Sequence, residues 1–79
     1  MQRYSITTPL PAIRLFQSDR TEKAGVMALL PAKAVVEMRG PSELGIGMVE
    51  VTWQCHRFAV FLRDLATRAT LVRIEVVGD

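Results

Sequence analysis

An all-β fold is what this sequence predicts, and three observations carry the expectation. Val, Ile, Thr and Phe recur throughout the second half, and these residues suit a pleated, half-buried surface. Four prolines and five glycines punctuate the chain in the manner of short strands joined by turns. Between residues 49 and 54, Val49, Val51 and Trp53 alternate with Glu50, Thr52 and Gln54 at period two, the mark of a strand with one buried face. With 79 residues the chain is long enough for one domain and too short for two, so residues 1–79 are read as a single unit. Its 49% hydrophobic and 23% charged residues are those of a globular chain.

Residues 1–8 are polar with isolated apolar side chains. Pro9 and Pro11 then hold the backbone extended while keeping it from the middle of a sheet. A first strand is expected at 12–16. Residues 17–25, with Ser18, Asp19, Arg20, Thr21, Glu22 and Lys23, have nothing apolar to anchor them and read as a solvated loop. A second strand at 26–30 turns through Pro31 and Ala32 into a third at 33–39, where Ala34, Val36 and Met38 face one way and Lys33, Glu37 and Arg39 the other. Gly40-Pro41-Ser42 opens a loop running through Gly45 and Gly47.

The segment MVEVTWQCHRFAVFLRDL at 48–65 reads as a hairpin. With a two-residue turn at Gln54-Cys55, Trp53 pairs with His56, Val51 with Phe58 and Val49 with Val60, which places all six on one face. A four-residue turn preserves that facing. The alternation breaks at 62–66, where Asp64 two residues after Leu62 suits a one-turn helix. A competing reading makes 57–68 a helix, since Phe58, Phe61, Leu62 and Leu65 also recur at helical spacing. Strand followed by turn is preferred, because Phe58-Ala59-Val60-Phe61 is rich in strand formers and completes the hairpin. A final strand is expected at about 70–77, with Val72, Ile74 and Val76 on one face and Arg73 and Glu75 on the other.

Two stretches, LPAKAVVEM at 30–38 and MVEVTWQCHRFAVF at 48–61, and the order of elements around them, resemble a Src-homology-3-like (SH3-like) small barrel, above all the bacterial SH3-type domains. The resemblance covers about residues 12–77. It implies five to six short strands with a one-turn helix near 62–66, and a binding module whose relatives take peptides, cell-wall glycans, nucleic acids or larger subunits. In the bacterial domains the hairpin turn usually holds glycine. Here a two-residue turn requires positive φ of Gln54 and Cys55. One Trp, one Tyr and a mixed-charge first loop depart from the aromatic, acidic-flanked groove of proline-rich peptide binders.

The charges exclude little and favour little. Ten Lys plus Arg against eight Asp plus Glu give +2, with both signs interleaved. Nucleic-acid binding is the alternative function and would draw on Arg14, Arg39, Arg57, Arg63, Arg68 and Arg73 if folding gathers them on one face. The lone Cys55 precludes an internal disulfide and a cysteine metal cluster within one chain. Cys55 and His56, the only thiol and imidazole, point to opposite faces when adjacent in a strand, and so do not read as a nucleophile and base. A small enzyme or redox accessory using this pair ranks last. No catalytic residue, cofactor or metal ligand set is expected. Gly40, Gly45 and Gly47 lack the Lys-Ser/Thr pair and helix start of a phosphate loop and read as turn residues.

Trp53 and Phe58 are assigned to the core. Met48 and Phe61, on the other face of the hairpin, are the expected exposed contact surface, with Arg57 and Arg63 flanking it. The candidate binding residues are therefore Met48, Phe61, Arg57, Arg63 and Trp53. The expectation is a non-catalytic module for a protein partner, an adaptor or small subunit, cytoplasmic and not membrane-bound. The final strand adds a homodimer formed edge to edge.

Overall fold

A computed structural model describes residues 2–18 and 21–74. These residues are all-β with one short helix. The elements are β1 (Gln2–Ile6), β2 (Leu10–Ser18), β3 (Thr21–Leu30), β4 (Val35–Pro41), β5 (Met48–Trp53), β6 (His56–Phe61), α1 (Leu62–Arg68) and β7 (Ala69–Ile74). They form one antiparallel sheet of seven strands in the order β3-β2-β6-β5-β4-β1-β7.

The hairpin of β5 and β6 forms in the expected register. Met48 lies opposite Phe61, Val49 opposite Val60, Val51 opposite Phe58 and Trp53 opposite His56. The turn is the two-residue one, and both of its residues have positive φ, 51° at Gln54 and 66° at Cys55. This is the backbone of the primed turns, whose twist matches that of the flanking strands. Inward from the hairpin, Val49, Val51, Phe58 and Val60 join Ile6, Leu10, Ala12, Leu30, Ala34, Val36 and Leu65 in the main core. Ala34, Val36 and Met38 share that side, as the alternation of the third predicted strand requires. The turn before it closes with Ala34 N donating to Pro31 O, and it places Lys33 at φ 75°.

Helix α1 begins at Leu62, and residues 57–61 are strand. The helical spacing of Phe58, Phe61, Leu62 and Leu65 loses because Arg57, Phe58 and Ala59 are paired on both sides, with β5 and with β2. Two ladders satisfy more backbone groups than one helical turn. The helix runs seven residues, longer than the single turn expected. Fully buried Leu65 anchors it to the core. At its end the Arg68 carbonyl accepts bonds from Thr7 N, Thr8 N and Thr7 Oγ1, which serves a carbonyl that the helix leaves unpaired.

Four expectations are corrected. The polar start of the chain is a strand, β1, paired on both sides with β4 and β7, so the described residues form seven strands and not five to six. The expected loop at 17–25 is largely ladder: β2 continues to Ser18 and β3 starts at Thr21, with Gln17 opposite Glu22. Backbone pairing there needs no apolar anchor. Pro11 lies within β2, an interior strand, but pairs there with Leu29 of β3, and the pairing with β6 covers only Ile13 to Leu15. At the C-terminus a register shift between Arg3 and Tyr4 puts Leu71 opposite Tyr4 and leaves Val72 exposed, while Ala69 packs on the core. Residues 75–77 of that predicted strand lie outside the described residues. No helix among the described residues is long and apolar enough to cross a membrane.

Candidate functional site

The register that sends Val49, Val51, Phe58 and Val60 inward sends Met48, Glu50, Arg57, Ala59 and Phe61 to the other face. Polar and apolar residues there divide into two regions. Toward β4 and β1 the face is ionic. Arg57 grips the Glu50 carboxylate with two bonds, Nε to Oε2 at 2.7 Å and Nη2 to Oε1 at 2.8 Å. The Glu50 side chain is mostly buried, and the hydrogen bond from Arg57 holds its carboxyl below the ordinary value, outweighing the desolvation that pushes it up. Arg3 and Glu37 add a looser pair at 3.5 Å.

Toward β2 and β3 the face is apolar. Leu15, Met48 and Ala59 form a second buried cluster, with Ile13 packed against it. Met48 therefore does not supply the exposed surface expected of it. Strand β2 lies beside the hairpin on this side, and a Cβ at Gly45 would stand 3.3 Å from the Met48 sulfur, so the 42–47 loop closes over the side chain. Phe61 stays 47% exposed. It sits at the end of β6, where Leu62 N donates to Gly47 O and ties the loop to the start of α1. Ile46, held between Gly45 and Gly47, is fully exposed, and Leu62 is half exposed. Ile46, Gly47, Phe61, Leu62, Arg63 and Ala66 line one shallow depression of about 480 Å³. Loop, strand end and helix start thus converge on one apolar surface with a cation at its rim.

Of the five candidate binding residues, this surface brings together Phe61 and Arg63. Arg57 shares the face but is engaged with Glu50. Trp53 lies elsewhere: it is partly buried against the core, its ring centroid 6.4 Å from that of Phe58, and lines a separate depression with Val35, Glu37, Arg39 and the turn. Ile46, Leu62 and Ala66 were missed. Ile46 had a legible signal, a large apolar side chain alone among loop glycines, whereas Leu62 and Ala66 become neighbours of Phe61 only once the helix starts at residue 62.

Cys55 is exposed at the tip of the turn. His56 beside it receives a bond from Arg14, whose Nη2 lies 3.0 Å from Nδ1. Because arginine can only donate, Nδ1 accepts and the ring proton sits on Nε2. Nδ1, the nitrogen through which a carboxylate would orient a catalytic base, is engaged instead by a cation. Among the described residues, no three of His, Cys, Asp and Glu lie close enough to hold a metal. No protein-family model, curated protein or solved structure matches the chain.

Proposed function

We propose that the chain is a non-catalytic interaction module for a protein partner, an adaptor or small subunit built on an SH3-like small barrel of the bacterial type and working in the cytoplasm. One observation carries the reading: Ile46, Phe61 and Leu62, large apolar residues from three elements, stand exposed around one depression beside Arg63. Scattered exposed apolar residues are ordinary, but a contiguous set rimmed by a charge is the usual anatomy of a contact surface. The alternative, nucleic-acid binding, draws on the arginines. Arg57, held by Glu50, is a poor phosphate ligand.

The test is affinity capture from the native host with the wild-type chain and with an Ile46→Ser/Phe61→Ser variant, both checked for folding by circular dichroism. A partner retained by the first and lost by the second supports the module. Equal capture by both, or binding that is confined to nucleic acid and falls steeply with salt, overturns it.

A further inference from the structure

Among the described residues strand β3 is an outer edge of the sheet, paired with β2 alone, and its outward backbone groups are open to another extended strand or to water. Natural edges are commonly protected by charge, proline or irregularity. This one carries no charged residue and no proline from Ala24 to Leu30. Its side chains Val26, Met27 and Leu29 are 74%, 69% and 63% exposed. The bulge at Gly25 and Val26, opposite Arg14, leaves the following residues regular, with Met27 to Leu30 paired one to one with Ile13 to Leu10. Glu22 and Lys23 lie at the start of β3, ahead of the bulge, whereas the other edge, β7, is six residues long and is interrupted at Val72, which leaves no regular run as long as Met27 to Leu30 free of charge.

We propose that β3 pairs antiparallel with β3 of a second copy about a two-fold axis through Ala28. The sequence of the strand selects both the occupant and the register. With Ala28 opposite itself, Met27 of each copy faces Leu29 of the other on the outer side, and Val26 faces Leu30 on the core side. Every exposed apolar side chain of the strand thus meets an apolar neighbour, the small residue falls on the axis, and no charge enters the ladder. Pro31, which has no N–H to donate, marks the end of the pairing. Two sheets of seven strands become one continuous sheet, and the isologous contact closes on itself without propagating. Met27 lines a depression with Phe61, so this contact borders the Phe61 surface, but it rests on the β3 edge alone and not on a partner bound at Phe61.

The first experiment is light scattering after size-exclusion chromatography on the full chain up to about 100 μM, where a dimer of micromolar affinity is nearly complete. Twice the chain mass is expected. Met27→Lys and Leu29→Lys change exposed side chains, so both variants fold, and each weakens the dimer about tenfold or more. Val72→Lys leaves it intact. The register is read separately by Ala28→Cys in a Cys55→Ser background with oxidised glutathione. Facing Cα atoms in an antiparallel ladder stand about 4.5–5.5 Å apart, within disulfide reach, so a covalent dimer forms across the axis. A monomer at the highest concentration overturns the proposal, as does a dimer abolished by Val72→Lys and indifferent to Met27→Lys. A dimer lost in the lysine variants but never cross-linked through residue 28 overturns the register.

Discussion

The turn between β5 and β6 is made of two L-residues in the left-handed region, Gln54 at φ 51° and Cys55 at φ 66°. Each pays roughly 1–2 kcal/mol relative to the right-handed conformation, a cost that glycine escapes. Replacing Cys55 by glycine removes that strain and loses no packing, because the side chain is exposed. Against the gain stands the larger backbone freedom of glycine in the unfolded chain, about 0.5–1 kcal/mol. The net expectation for Cys55→Gly is a stabilisation of about 0.5–1 kcal/mol, raising the melting temperature by about 4–8 °C per kcal/mol for a domain of this size. Adding Gln54→Asn gives the preferred Asn-Gly pair and a few tenths more. Urea unfolding under reducing conditions, with an unchanged m-value, is the assay. Cys55→Ala keeps the strained geometry and serves as the control, with no gain expected. If Cys55→Gly matches Cys55→Ala, or melts lower than wild type, residue 55 is not left-handed and the two-residue turn is wrong.

Gly25→Ala should destabilise by about 1–3 kcal/mol, since the new Cβ would stand 2.7 Å from the Arg14 carbonyl oxygen; trimming the nearby ring with Phe16→Ala should not rescue it, because the backbone contact remains. Leu65→Ala should cost about 2–5 kcal/mol by opening a cavity under α1, measured as a lower urea midpoint. Glu50→Gln tests the ion pair with Arg57. The folded carboxyl is held below its ordinary 4.5, so its contribution is present above about pH 4.5 and is lost as pH falls through the folded value. The variant should be weaker than wild type by about 1 kcal/mol at pH 7, with the gap closing in acid; a gap that persists in acid would show that the effect is not the ionised pair.

The candidate surface was half legible. Phe61 could be placed on the outer face from the period of the hairpin alone, because facing in a strand is a local property. Exposure is not local. Met48 shares that face with Phe61, yet it is covered by Ile13, Leu15 and the loop at Gly45, which come from distant parts of the chain. The same holds for Arg57, whose charge is spoken for by a carboxylate seven residues earlier in sequence and diagonal across the ladder.

By itself the sequence determined the β class, the hairpin register and the core face of β4 to β6, since the two-residue period and the spacing across a short turn need only neighbouring residues. It also determined that helix and strand would compete over 57–68, for the apolar residues there satisfy both periods. The tertiary structure settled that competition by pairing β6 on both flanks. It also made a strand of Gln2–Ile6, whose side chains carry too weak a pattern to announce one, by offering β4 and β7 as partners on either side. Strand order and burial depend on which backbone groups find one another across the chain, and that is decided only when the sheet is assembled.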